Sequence, residues 1–77
     1  MSFGKDVLDM INSIENDHNH PGQKAGIMMQ GDTKPHEIYT KSEHTITLKT
    51  YRGIETGYRM INTNQMASIQ LEAIKKP

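Results

Sequence analysis

The sequence predicts an α+β fold, mainly β, in which one N-terminal helix precedes a bent antiparallel sheet of four or five short strands. Two observations carry this prediction. Apolar residues recur every three to four positions up to Ile14, which is the period of a helix. After Lys24, apolar and polar residues alternate in runs separated by glycine and proline, as strands and turns do. We expect the 77 residues to form one domain whose small sheet curls into a barrel and so loses its exposed edges.

The first element is a helix predicted over residues 3–15. Its apolar positions line one face: Phe3, Val7, Met10, Ile11 and Ile14. Ser2 is a candidate N-cap, since its hydroxyl can accept a hydrogen bond from the first turn. We expect the helix to end in a linker over residues 16–23, where asparagine, aspartate, proline and glycine disfavour a helix interior.

This linker region also contains potential metal ligands, namely Glu15, Asp17, His18 and His20. Their spacing does not match that of known zinc signatures, and histidines two positions apart converge only on a strand face. We therefore favour a structural linker over a metal site, with adventitious nickel or zinc binding as the alternative. No cofactor is expected.

The β region is predicted over residues 24–74. A short apolar run closed by glycine predicts a first strand at 24–30. Residues 36–51 then alternate, with Ile38, Ile46 and Leu48 facing the core. Because sixteen residues is long for one strand, we expect a tight turn or sharp bend near residues 41–43.

A second hairpin and a last strand complete the predicted sheet. Residues 52–57 are expected to form the hairpin loop, which pairs Tyr51 with Tyr58 and Leu48 with Ile61. After a break at 62–65, the last strand is predicted at 66–74 with four residues inward: Ala67, Ile69, Leu71 and Ala73. A helix over 66–76 is the alternative, because a helical face also fits Met66, Ile69, Ala73 and Ile74.

Composition narrows the classes of protein. The chain is 34% hydrophobic, below the roughly 45–50% typical of globular domains, so its core is expected to be thin. Without cysteine no disulfide can compensate, which leaves a structural metal or self-association as the candidates. Self-association is the one that we expect. Basic and acidic residues number nine each, so no global charge attracts nucleic acid or a membrane. No secretory signal or membrane span is apparent, and we expect a cytoplasmic protein without a membrane partner.

We expect no enzymatic activity. The sequence has no nucleophile elbow, phosphate-binding loop, dinucleotide fingerprint or zinc-protease motif, and it has no thiol nucleophile. Ser42, Glu43 and His44 are adjacent, but Ser42 is better explained by turn chemistry. His44 shares the core-facing parity and is interpreted as a satisfied interior or barrel-end histidine rather than a ligand.

The most informative surface interleaves tyrosines and cations around the second hairpin: Tyr39, Lys41, Lys49, Tyr51, Arg52, Tyr58 and Arg59. Aromatic rings stack on bases and cations meet phosphates, as single-stranded nucleic-acid binding requires. Arg59 has core parity and joins this surface only if the strand end twists outward. The alternative is a solvated strand face whose tyrosines pack across strands.

The layout resembles Sm/Lsm proteins, notably the bacterial Hfq type. SEHTITLKTYRGIETGYRMINTNQMASIQ, residues 42–70, is similar in spacing to the family's last long strands and second signature, and the resemblance extends over residues 3–74. It implies an Sm- or SH3-like barrel and a ring-shaped homo-oligomer formed by edge-strand pairing. Hfq-type proteins carry a Lys-His pair in the second signature, before the last strand, and other residues stand there in this chain. By analogy with the family, Asn62, Asn64 and Gln65 lie near the proximal RNA pocket.

Two hypotheses about function follow. The first is a non-enzymatic, self-associating module that binds single-stranded RNA or a nucleotide-like ligand through Lys49, Tyr51, Arg52 and Tyr58. The second is a small protein–protein adaptor or inhibitor, of the kind that mobile elements encode. It would use an exposed edge strand and a methionine-rich face formed by Met28, Met29, Met60 and Met66. The alternative is that these methionines only fill the hydrophobic core.

Overall fold

The computed structural model describes residues 2–75, which form one helix, five strands and a short 3-10 helix. In chain order these are α1 Phe3–Glu15, β1 Lys24–Met28, β2 His36–Lys41, β3 Thr45–Arg52, β4 Glu55–Asn62, the 3-10 helix Thr63–Gln65 and β5 Gln70–Ile74. All strand pairs are antiparallel, in the order β4-β3-β2-β1-β5. The predicted α+β, mainly β class is confirmed.

Helix α1 has the predicted bounds and the predicted cap. The Ser2 Oγ accepts a hydrogen bond from the Lys5 N–H at 3.2 Å, which satisfies a backbone donor of the first turn. Near the other end, the Gln23 side chain donates to the Ile14 carbonyl at 2.6 Å. Val7 and Ile11 are buried against the sheet, whereas Met10 is 53% exposed, so the packed face is narrower than the sequence pattern implied.

Strand β2 pairs with different neighbours at its two ends. His36 and Glu37 pair with β1, while the chain from Ile38 to Lys41 pairs with β3. The turn expected near residues 41–43 is confirmed, with the Ser42 hydroxyl hydrogen-bonded to the backbone of Thr45. Among residues 2–75, β4 and β5 are the two edge strands and are not paired with each other. Closure into a barrel stays a prediction.

The β3–β4 hairpin has a tighter turn than predicted. Its loop is Gly53 and Ile54 alone, with Gly53 at φ +63°, and glycine at the first central position is the signature of a type II′ turn. The strands therefore run on to Arg52 and Glu55, and the predicted register is wrong by two residues. A two-residue shift preserves which face each side chain takes, so the core and solvent faces were predicted correctly.

A β-bulge in β2 changes the face of one important residue. The register shifts between Ile38 and Thr40, which leaves Tyr39 as the extra residue. Beyond the bulge, Lys41 pairs with the buried Ile46 and so turns to the core side. Its ammonium there donates to Glu15 of α1.

The last strand is confirmed and the alternative helix is wrong. Strand β5 begins only at Gln70, later than predicted, and Ile69 and Leu71 pack against the core. Ala67 and Ala73 are exposed rather than inward. Ala67 precedes the paired strand, so the alternation does not yet apply there, and Ala73 lies on an edge strand that has only one neighbour.

The buried hydrophobic core of the described residues is small, and it lies between α1 and one face of the sheet: Val7, Ile11, Ala25, Ile27, Ile46, Leu48 and Ile61. Thr63 of the 3-10 helix is also fully buried, and its hydroxyl donates to the Glu43 carbonyl at 3.3 Å. This contact joins the 3-10 helix to the β2–β3 turn. In the part of the chain that the structure describes, no helix is long and apolar enough to cross a membrane.

Candidate functional site

The face of the sheet that points away from α1 carries a cluster of three tyrosines around one lysine. We call this the tyrosine face and define it as Tyr39, Lys49, Tyr51 and Tyr58. The rings of Tyr39 and Tyr58 lie 4.8 Å apart between centroids, at an interplanar angle of 52°. The Lys49 ammonium lies over the Tyr39 ring, 5.6 Å from its centroid. The cluster therefore spans β2, β3 and β4.

Strand pairing explains how residues distant in sequence meet on this face. Tyr58 of β4 lies directly opposite Lys49 of β3, and Tyr51 follows two residues along β3 on the same side. Tyr39 enters from β2 at the bulge. All three tyrosines remain largely open to solvent, with exposures of 56%, 64% and 55% for Tyr39, Tyr51 and Tyr58. The three side chains are therefore accessible to a ligand.

Lys49 is the one cation of the tyrosine face, and its charge is not neutralised nearby. Within residues 2–75, Lys49 forms no salt bridge, whereas Lys24 pairs with Glu37 and Lys41 with Glu15. Over the face of an aromatic ring, an ammonium is held by the ring's quadrupole without losing its charge. It remains available to an anion that approaches from solvent.

Other cations predicted for this surface lie elsewhere. Lys41 faces α1, so its predicted outward position is wrong, and the cause is the β2 bulge. Arg59 pairs with the fully buried Leu48, which puts it on the opposite side of the hairpin from Tyr58. Arg52 sits beside Glu55 at the hairpin end. Of the seven residues predicted for this surface, four come together on the tyrosine face.

The polar residues that follow β4 have structural contacts at the far end of the hairpin. Asn62 pairs with Thr45, and its side chain accepts from the Asn64 N–H at 3.0 Å. Asn64 accepts from the Gly4 N–H at 3.3 Å and contacts the His44 Nδ1 at 2.7 Å. These residues link the 3-10 helix to α1 and to the β2–β3 turn.

Gln65 is exposed beside them. The structure does not bring Asn62, Asn64 or Gln65 to the tyrosine face, because Thr45 and Tyr51 lie toward opposite ends of β3. His44 is exposed rather than interior, although its ring is hydrogen-bonded as expected.

A second feature is a groove of about 470 Å³ between the end of β1 and the start of β5. Three methionines take part in its lining, which comprises Ile27, Met28, Met29, Gln30, Met66, Ser68, Ile69 and Gln70. Met60 does not join them; it is 72% exposed on β4, opposite Thr47. The predicted methionine-rich face is thus divided between two places.

One exposed residue escaped the sequence-based prediction. Ile54 is fully exposed at the β3–β4 turn, where the sequence predicts a hairpin loop over residues 52–57 with no role for this side chain. The glycine immediately before it is the signal that could have revealed a two-residue turn with Ile54 at its tip.

One of the two linker histidines, His20, forms a local turn contact. His20 Nδ1 lies 3.0 Å from Asp17 Oδ2, and this hydrogen bond, with a second from the Asn19 N–H, lowers the pKa of the Asp17 carboxyl. Between residues 2 and 75, no group of three or more histidine, aspartate or glutamate side chains is placed to hold a metal ion.

Comparisons with protein-family models, with curated proteins and with solved structures find no match for this chain. What the tyrosine face can do therefore has to be argued from its geometry and chemistry. It presents three exposed tyrosine side chains and one ammonium without a salt bridge among the described residues, which together complement a ligand that is both aromatic and anionic.

Proposed function

We propose that the protein is a non-enzymatic binding module that binds single-stranded RNA, or a related nucleotide ligand, on the tyrosine face. The observation that carries the proposal is the exposed cluster of Tyr39, Tyr51 and Tyr58 around the unpaired Lys49. Stacking a base on an aromatic side chain contributes about 1–3 kcal/mol. The ligand is single-stranded because bases must be unstacked before their faces can meet a side chain.

The charge distribution supports recognition by stacking more than by electrostatic attraction. Lys49 supplies the only cation of the tyrosine face, since Lys41 and Arg59 point elsewhere. The chain as a whole has no net charge. A cytoplasmic location, which suits a protein without cysteine, belongs to the same proposal.

Self-association through the edge strands is the second part of the proposal, as the resemblance to Sm/Lsm proteins implies. Strands β4 and β5 each have one neighbour among the described strands, so each offers a row of backbone groups for pairing. Pairing β4 of one copy with β5 of the next is a head-to-tail contact, which gives a ring when the rotation between copies closes and an open filament when it does not. Because the buried core is small, pairing between copies would add stability that the monomer lacks.

The alternative function is a protein–protein adaptor or inhibitor. Its support is the groove at the end of the β1–β5 pair, which Met28, Met29 and Met66 help to line, together with the open edge of β5. Flexible thioether side chains adapt to varied apolar partners, and an open edge accepts an added strand. A stoichiometric protein that stays bound after nuclease treatment, together with no binding of oligonucleotides, would favour this function.

The test of RNA binding is fluorescence anisotropy with a labelled 15-nucleotide oligoadenylate at low salt. Tyr51→Ala combined with Tyr58→Ala should weaken binding by about 1–3 kcal/mol per stacked base. Tyr51→Phe with Tyr58→Phe is the matched control, since it keeps both rings and should keep most of the affinity. Circular dichroism verifies that each variant is folded. If the wild-type protein fails to bind at low salt, RNA binding is excluded.

A further inference from the structure

Lys49 occupies the centre of the tyrosine face, and the positions of the rings around it define the ligand more closely. Tyr58 lies opposite Lys49 on β4, Tyr39 borders it from β2, and Tyr51 follows it on β3. Because Tyr39 and Tyr58 are already in contact at 4.8 Å, no base fits between them. Tyr39 therefore supports Tyr58 from the side, and the face offers two separate platforms, Tyr58 and Tyr51.

The separation of the two platforms sets the conformation of the ligand. The Cα atoms of diagonal neighbours across an antiparallel pair, such as Tyr51 and Tyr58, are about 7–8 Å apart, and both side chains stand on the same face of the sheet. Nucleotides in a stacked duplex follow each other at roughly 3.4 Å, about half that distance. Two consecutive bases can reach both rings only when the strand is extended and unstacked. Their linking phosphate then passes between the rings, beside Lys49.

We infer that the tyrosine face is a two-nucleotide site, with one base on Tyr51, the next on Tyr58, and the phosphate that joins them on the Lys49 ammonium. This inference rests on the proposed function. The charges are complementary, because a phosphodiester carries a single negative charge and the Lys49 ammonium, which lies among the tyrosines, forms no salt bridge among residues 2–75.

The experiment titrates three small ligands into the protein and follows the backbone amides by ¹H–¹⁵N NMR. The ligands are adenosine, the dinucleotide ApA and the ApA analogue in which a neutral methylphosphonate replaces the phosphate. ApA should bind about fivefold or more tightly than adenosine, because a second base stacks. The methylphosphonate should cost a further factor of about two to five, as expected for one partly exposed ion pair.

Variants assign this phosphate dependence to one side chain. Lys49→Gln should bind ApA and its methylphosphonate analogue equally, and Lys49→Arg should restore the preference for the charged linkage. Lys5→Gln removes the same charge from α1 and should behave like the wild type. A preference for the phosphate that survives in Lys49→Gln overturns the assignment.

The inference and the proposed function fail in different ways. If oligoadenylate binds with the expected dependence on Tyr51 and Tyr58, but ApA binds no better than adenosine, the two-nucleotide site is wrong and the proposed function stands. If oligoadenylate does not bind at all, both are wrong.

Discussion

Replacing Gly4 by alanine should destabilise the protein, although alanine is the better helix former. Gly4 is the second residue of α1, where helix propensity alone favours alanine by up to about 1 kcal/mol. A Cβ at this position, however, would overlap the backbone carbonyl oxygen of Glu43 and would lie 2.7 Å from the Thr63 Oγ1. Neither the carbonyl nor the buried threonine can rotate away.

The size of the effect follows from what must move. Overpacking by one methyl group in a well-packed site costs about 1–3 kcal/mol. Displacing the start of α1 also lengthens the 3.3 Å hydrogen bond from the Gly4 N–H to Asn64, which is worth about 1 kcal/mol. After subtracting the helix-propensity gain of up to about 1 kcal/mol, we expect Gly4→Ala to lower the free energy of unfolding by roughly 1–3 kcal/mol.

Urea unfolding followed by circular dichroism measures this difference. Lys5→Ala is the matched control: it changes the next helical residue, which is exposed, and should alter stability by at most about 0.5 kcal/mol. If Gly4→Ala is as stable as the wild type or more stable, the start of α1 does not pack against Glu43 and Thr63, and the described contact between helix and sheet is refuted.

Two further predictions concern ion pairs. A double-mutant cycle of Lys41→Ala and Glu15→Ala should give a coupling of about 0.5–1 kcal/mol, since both side chains are about one-third exposed; zero coupling would contradict the β2 bulge. The carboxyl of Asp17 should titrate below 3.8 by NMR and move toward that value in His20→Ala; an unchanged midpoint would refute the contact. Because the pKa of native Asp17 is lowered, the pair's stabilisation is present above pH 3.8 and is lost as the pH falls through that lowered pKa.

Local patterns in the sequence were enough to predict the elements of the fold. The cap at Ser2, the turn at Ser42 and the break after Asn62 each depend on a side chain that hydrogen-bonds to a nearby backbone group. A few consecutive residues are therefore enough to predict them. The register of the β3–β4 hairpin was missed because the tight turn at Gly53 was taken for a longer loop. Since the error was two residues, the faces were still correct.

The candidate site was predicted only in part, because one of its determinants is not local. The alternation of faces along β2 predicts that Lys41 lies beside the tyrosines, but this prediction holds only for a strand without a bulge. The bulge at Tyr39 reverses that assignment, and it is accompanied by a contact between Lys41 and Glu15, 26 positions earlier in the chain. Lys49 and Tyr58 were grouped correctly because no bulge interrupts the pairing of β3 with β4. Tyr39 joins them although it is the bulged residue, and its ring contacts that of Tyr58.

The bulge thereby connects the architecture of the sheet with the chemistry proposed for its outer face. By turning Lys41 toward α1, it leaves the tyrosine face with one cation, so binding there should have a shallow salt dependence, with a slope of about −0.7 for one phosphate contact. One such two-nucleotide site is weak. Repeated around the proposed ring, the same sites would act on one strand, and each later contact would form at a high effective concentration. Under the proposal, self-association and single-strand binding would be two parts of one mechanism, because the ring would supply the affinity that a single face lacks.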